Sequence, residues 1–360
     1  MRNILKYIPA VVLLFGLTSC DYFSLDDPQP VNAVAPSLAI TDRQSAQAAV
    51  AGAYDELQDP DLVFDGYNGF WQLHSDEAVF TGTFPTRLEF GNMNVFPSNG
   101  TAATVFTEFY DAINVANNII EILPTVTDIT LETTGVRENF IAEARFVRAL
   151  SYLHLTLGWG DVPLITKPTV SVGEELNVTT APSAEVYAQI IADFEYAAAN
   201  LDPALSLEAT PAAANGFLAR IALYQGRWND AYNLATGVLG VDFDLSSFAF
   251  LADEIFYLNF ASTDGNSLAF FYGTAALNGR HSIEPSAKLL NDTYEAGDLR
   301  IPATFAYDSE NTPYGNKYNE FNAATGSQTD PVLFMRHAEL VLIAAEAAAR
   351  TSDFINANAW

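Results

Sequence analysis

Between Tyr67 and Arg87 the sequence sets flat rings beside hydrogen-bonding groups: Tyr67-Asn68-Gly69-Phe70-Trp71-Gln72 is followed by His74, Asp76, Glu77 and Arg87. Rings stack on the C–H faces of sugars, and Asn, Gln, Asp and Arg side chains pair with sugar hydroxyls, so this combination suits an oligosaccharide. A second group, Asn278-Gly279-Arg280-His281 near Tyr272, offers the same ingredients. Tyr67, Asn68, Trp71, Asp76 and Arg87, with Tyr272, Arg280 and His281, are therefore the candidate ligand contacts. For each, the alternative is packing of the ring and solvation of the polar group.

Catalysis needs other constellations. His-Glu-x-x-His, Gly-x-Ser-x-Gly, a phosphate-cradling glycine loop and a dinucleotide glycine pattern are all missing from the sequence. His74, His154, His281 and His337 lack metal-ligand spacing, and no cofactor is expected. Asp242, Asp244 and Ser246 are spaced faintly like a calcium loop, but its glycine and distal glutamate are missing, so calcium is not expected either. The chain reads as a binding protein and not an enzyme. A glycosidase built from two of its 44 acidic residues is the rival, since the separation of a carboxylate pair cannot be read from sequence.

The one cysteine, Cys20, excludes an internal disulfide and a multi-cysteine metal site. It ends a leader in which Arg2 and Lys6 precede an apolar run from Ile8 to Leu17, too short to span a bilayer. Residues 1–19 read as a signal peptide and Leu17-Thr18-Ser19-Cys20 resembles a lipobox, so Cys20 is the expected site of lipidation. Residues 20–37, with three prolines, read as an extended tether. The formal charge is −28, and loss of the two leader cations takes it to −30. Such a body repels nucleic acid and anionic lipid, so lipid has to provide the membrane attachment. With 17% charged and 12% aromatic residues the chain is too apolar to be a disordered acidic segment.

The elements that must position these residues are mostly helices. Asp42 or Thr41 caps a first helix whose apolar positions run from Ala46 to Leu57, and Asp59-Pro60 stops it. Further helices are expected over about 104–123, 136–157, 183–201, 211–225 (with Thr210-Pro211 as cap and first turn) and 228–239. Leu333–Arg350 reads as a last, alanine-rich helix. The 136–157 helix is apolar nearly all round except for Arg137, Glu138, Arg145 and Arg148, which fall within about 100° of arc. Arginines on so interior a helix pair with acids, Glu339 or Glu346 being candidates, and do not form an anion site. Trp159 and Trp228, beside turn glycines, read as packing anchors. Residues 61–101 and 241–330 are loop-rich and aromatic, with Ser267–Tyr272 readable as a short strand.

The pair of helices around Gly226 follows the tetratricopeptide template, with Leu218, Ala219, Trp228 and the small Ala231 on its packing positions. Ala344, Ala345, Phe354 and Ala357 form a weaker copy. Together with Ala48-Ala49-Val50-Ala51-Gly52-Ala53-Tyr54, Phe109-Tyr110-Asp111-Ala112-Ile113, Asn117-Asn118-Ile119-Ile120, Ala142-Glu143-Ala144-Arg145-Phe146-Val147-Arg148-Ala149-Leu150 and Gly160-Asp161-Val162-Pro163-Leu164, the chain resembles the SusD/RagB family of surface lipoproteins. Asp298-Leu299-Arg300 and Arg336-His337-Ala338-Glu339-Leu340 extend the likeness over nearly the whole chain.

The resemblance implies a mainly α fold, a tetratricopeptide-like scaffold of helix pairs with loop-rich insertions and a few short strands, in one domain over 38–360. It implies an outer-membrane, outward-facing lipoprotein that binds an oligosaccharide and passes it to a TonB-dependent, SusC-like transporter. The same family supports peptide capture as the alternative. The family pattern continues past the last alanine-rich helix, and at Phe354–Trp360 that continuation is only beginning, so a truncated C-terminus is expected.

Overall fold

The computed structural model describes residues 39–169, 178–240, 253–319, 321–322 and 327–360. The leader, Cys20, the tether and the Asp242–Ser246 spacing lie outside the described residues. Helix α1 (Arg43–Leu57) begins at the expected cap: the Asp42 carboxylate accepts from the Ser45 N–H, and the Ser45 hydroxyl accepts from the Asp42 N–H. It buries Ala46, Val50, Ala53, Tyr54 and Leu57, the predicted stripe.

Residues 61–101 are far more helical than expected. A π-helical segment (Leu62–Gly69) runs into α2 (Phe70–Leu73), followed by β1 (Ala78–Phe80) and α3 (Pro85–Gly91). Helix α4 (Gly100–Ile122) starts ahead of its apolar stripe because the Asn99 side chain accepts from the Ala102 N–H. The π-segment lies tight against α4: a Cβ on Gly66 would stand 3.2 Å from a Val105 methyl. Helix α5 (Val136–Trp159) continues through Gly158 and stops at Gly160, whose φ of +74° ends the helix where a side chain would be strained.

Next come α6 (Ser183–Asn200), α7 (Pro211–Tyr224) and α8 (Trp228–Leu239), each close to its predicted span. The second insertion is built from β2 (Glu254–Leu258), α9 (Leu268–Tyr272), β3 (Ile283–Pro285), α10 (Ala287–Asn291), α11 (Ile301–Thr304), β4 (Phe305–Tyr307), β5 (Pro313–Gly315), β6 (Phe321–Asn322) and β7 (Ser327–Gln328). The chain then forms β8 (Val332–Arg336), α12 (His337–Arg350) and α13 (Phe354–Ala359). Two expectations are corrected here. Ser267–Tyr272 is not a strand, since Leu268–Tyr272 is helical, and Leu333–Arg336 is not helix but strand, paired antiparallel with β2 so that Phe256 faces Met335. The strands form two-stranded antiparallel pairs, β1–β3, β2–β8, β4–β5 and β6–β7.

Helix α5 is the axis of the scaffold and packs on α1, α4 and α6, while α7 and α8 form the antiparallel pair and α12 packs on α8. Phe146 sits at its centre, edge-on to Phe194, Phe217 and Phe256. Of the charged seam only Arg148 is fully buried, and its acid is neither Glu339 nor Glu346. The Arg148 guanidinium donates twice to Asp193, at 2.8 Å each, and once to the Asn117 side-chain oxygen at 2.8 Å, tying α4, α5 and α6 together. Arg145 lies over the Tyr196 ring, and Glu339 is taken by Arg220. On the other side of α5 the buried Glu143 accepts from the Tyr54 hydroxyl and from the Leu207 N–H. Burial pushes the Glu143 carboxyl up, and these donors offset part of that. Among the described residues no helix is long and apolar enough to cross a membrane.

Candidate functional site

The two ligand-like stretches of the sequence, some 200 residues apart, meet across one ladder. β1 and β3 pair so that Ala78 faces Pro285 and Phe80 faces Ile283, and just beyond it the Thr81 hydroxyl donates to the His281 carbonyl at 2.7 Å. At the other end the Ser286 N–H donates to the Glu77 carbonyl at 2.8 Å, and Lys288 forms an ion pair with Asp76. Strands this short are held by such flanking bonds more than by their own pairing. The result is a recess of about 150 Å³ whose walls include Gln72, Glu77, Tyr272, Glu284, Lys317 and Tyr318.

Two tyrosines join Ala78, Ile283, Pro285 and Leu289 as the apolar part of this recess, and both are locked. The Tyr272 hydroxyl donates to the Gln72 side-chain oxygen, and the Tyr318 hydroxyl donates to the Asn68 side-chain oxygen at 2.6 Å. Burial pushes the Tyr272 phenol well up, so it stays protonated and remains a donor. The exposed Lys317 ammonium lies 5.3 Å from the centre of the Tyr318 ring. Glutamate, glutamine and lysine side chains over two buried rings provide the acceptors and donors that one sugar unit needs.

Three of the eight predicted contacts, Tyr67, Asn68 and Arg87, turn out to serve the fold beneath this site. Asn68 is buried and also donates to the Val63 carbonyl at 2.7 Å. Tyr67 points into the core, its hydroxyl donating to the Leu57 carbonyl and its ring edge-on to Phe109 and Phe334. Arg87 donates twice, at 2.8 Å, to the buried Asp65 of the π-segment and lies over the rings of Phe64, Phe84 and Phe271. Burial raises the Asp65 carboxyl while Arg87 pulls it down. The expectation of an open loop at Tyr67–Gln72 is therefore corrected: these residues are helical, and the polar side-chain atoms of Tyr67, Asn68 and Trp71 are bonded within the fold. Arg280 is exposed, stacked at 4.5 Å over Phe84 and donating to Thr83, while the His281 ring bonds the Pro313 carbonyl at 3.0 Å.

Trp71 stands apart from this group. It is 40% exposed, its indole N–H donates to the Gly66 carbonyl at 2.8 Å, and it faces a different hollow of about 690 Å³ between the starts of α2 and α4 and the end of α5. Phe96, Phe106 and Trp159 complete the walls of this aromatic cleft. Trp159 does pack, edge-on to Phe106 at 5.4 Å, yet it also lines the hollow. None of these three was a sequence candidate for ligand contact: Phe106 reads as part of the apolar stripe of its helix, Trp159 as a packing anchor, and Phe96 only as one of the rings in a loop-rich stretch. Lys317, Glu284 and Tyr318 were missed too, because nothing local marks them. Among the described residues no group of three or more His, Cys, Asp or Glu side chains could hold a metal ion.

Comparison with known proteins bears on the fold and its relatives. Residues 74–223 match a SusD-like family profile described as starch-binding and associating with the outer membrane. SusD-like protein P2 of Formosa agariphila is 26% identical, with 95% of this chain and 77% of that protein aligned. A SusD-like protein of Bacteroides ovatus is 29% identical over 64% of this chain and 41% of its own length. Among solved structures, a laminarin-binding SusD-like protein superposes with a TM-score of 0.73 at 20% identity, covering 88% of this chain and 84% of that one. A SusD superfamily protein from Bacteroides vulgatus gives 0.74 at 18% identity, covering 88% and 77%. The profile match over residues 74–223 and the relatives make this chain similar to SusD-like proteins, and the solved neighbours show that it shares their fold.

Proposed function

We propose that the chain captures a glycan at the cell surface and hands it to a TonB-dependent, SusC-like transporter, held to the outer membrane by acylated Cys20. The observation that carries the binding step is the polar recess, where the β1–β3 ladder brings Glu77 and Glu284 to the same hollow as Gln72, Tyr272 and Lys317. Its volume is below the roughly 300–1,000 Å³ of sites for drug-sized molecules, so it takes one ring of a longer glycan whose other units lie across the neighbouring surface. Arg280 over Phe84 and the half-exposed Tyr307 offer that surface. The laminarin-binding structural neighbour makes β-glucan the first ligand to try.

Calorimetry with laminari-oligosaccharides, other glycans and peptides tests the reading on the chain starting at Asp21, which keeps every described residue. Saturable glycan binding that Glu284→Gln weakens is expected. Tight peptide binding without glycan binding overturns it in favour of peptide capture, and release of reducing ends overturns it in favour of a glycosidase. For the anchor, Cys20→Ala should move the protein from the membrane fraction to the soluble fraction, and for hand-off the lipidated protein should co-purify with an outer-membrane barrel.

A further inference from the structure

The aromatic cleft plays no part in that reading, and its chemistry differs from that of the recess. At about 690 Å³ it falls in the size range of small-molecule sites. Its lining contains no Lys, Arg, Asp or Glu, in a chain that carries 60 of them. Large apolar surfaces stand open around it: Trp71 at 40%, Phe96 at 52% and Leu157 at 38% exposure.

The polar atoms of its walls are mostly spent. The Trp71 indole N–H is bonded to Gly66, the Asn99 amide to Thr86 and Glu89, and the Thr107 hydroxyl to the Ala103 carbonyl. His74 stands exposed at the mouth. Deeper in, His154 is different. Its Nδ1 lies 2.9 Å from the Leu150 carbonyl, which can only accept, so that nitrogen carries the proton. Burial holds the imidazole neutral by lowering its pKa from 6.5 to about 4. Nε2 is then an acceptor; it has no hydrogen bond to any described residue and is not among the buried atoms the fold seals away from solvent.

We propose that this cleft is a second binding site, for a neutral aromatic ring bearing one O–H or N–H donor, as in phenol and indole, with the ring between Trp71 and Phe106 and the donor on His154 Nε2. An anion finds no Lys or Arg there. A sugar would bury several hydroxyls against carbon, with His154 as the one acceptor deep in the cleft. The ring could arrive as an aromatic substituent on a glycan or as a tyrosine or tryptophan side chain of a peptide; both present the same chemistry to the cleft.

The test is a set of calorimetric titrations of the chain from Asp21 with 4-methylphenol, indole, toluene and tetramethylammonium. Phenol and indole should bind about tenfold more tightly than toluene, the hydrogen bond to Nε2 making the difference. His154→Phe should erase that ratio and Trp71→Ala should weaken all three rings. Equal affinity for 4-methylphenol and toluene in the unaltered chain overturns the proposal, as does tightest binding of tetramethylammonium; this comparison needs no variant and survives if His154→Phe fails to fold. Titration with 4-hydroxyphenyl glucoside and N-acetyltyrosinamide separates the sources, since the tighter of the two identifies the carrier and failure of both sinks the site. Displacement of 4-methylphenol by a laminari-oligosaccharide would also overturn it, by making the two hollows one. Loss of glycan binding with phenol binding intact would instead count against the polar recess alone.

Discussion

One turn of helix, α2, separates two hollows of opposite character. Trp71 faces a neutral cleft walled by rings, and the next residue, Gln72, faces a recess set with two glutamates and a lysine. Adjacent residues on a helix point about 100° apart, so a single turn can serve two sites only if it is held from below. That support is the π-segment: Gly66 takes the Trp71 N–H, and Asp65, one residue earlier, takes Arg87. The contrast teaches that the polar side chains nearest in sequence to a ligand ring are as apt to be its foundation as its partners.

Breaking the shared foundation should have the largest effect. Arg87→Ala leaves the Asp65 carboxylate buried without its cation, and stability in a denaturant titration should fall by about 3–5 kcal/mol, with ligand binding lost in both hollows. The aromatic side alone is probed by acid. An unfolded His154 would take a proton near pH 6.5 and the folded one only near 4, so the unfolded chain binds more protons between these values. That share of stability, about 3 kcal/mol, is intact above about pH 6.5 and is lost as the pH falls toward 4. The ring packs against Tyr67, Phe109 and Phe334 and feels Arg220, so the difference between His154→Phe and the unaltered chain across that window isolates it.

The polar side is sharpened by Glu284→Gln, which should cost about 1–1.5 kcal/mol of glycan affinity and leave phenol binding unchanged in a parallel titration. Trp71→Ala should do the reverse, weakening the ring ligands while glycan affinity stays within about twofold; a larger loss of glycan affinity would move the sugar to the aromatic cleft. Arg280→Ala, which removes an exposed stacking contact over Phe84, should lower glycan affinity by about 0.5–1 kcal/mol and barely move the melting temperature.

Local chemistry made the scaffold legible. Asp42 with Ser45, Thr210 before Pro211, and Gly160 and Gly226 fix helix ends through bonds made within a few residues, and those ends fall where the sequence places them to within a residue or two. The insertions were less readable because their structure comes from partners far away. Val332–Arg336 has enough apolar residues for a helix and becomes a strand only because Glu254–Leu258 lies beside it. Leu268–Tyr272 alternates like a strand yet is helical, with the Phe270 N–H bonded to the Gln328 side chain. In the site, Tyr272, Trp71 and Arg280 were found as candidates from residue type, whereas Lys317 and Glu284 reach it by chain crossings that no spacing announces. The inward turn of Asn68 and Arg87 had one sequence clue, a lone Asp65 in an apolar run, which needs a buried cation.

The four tryptophans of the chain are unevenly placed: Trp71 and Trp159 both line the aromatic cleft, and none lines the polar recess. Half of the ultraviolet emission sources therefore sit where a ring would enter, and with the Trp71 indole pinned to Gly66 their orientation is fixed beforehand. Occupancy of that cleft should change the colour and intensity of intrinsic fluorescence directly, and a sugar in the recess should leave the same signal dark to its presence. The molecule thus carries its own optical label for one of its two hollows.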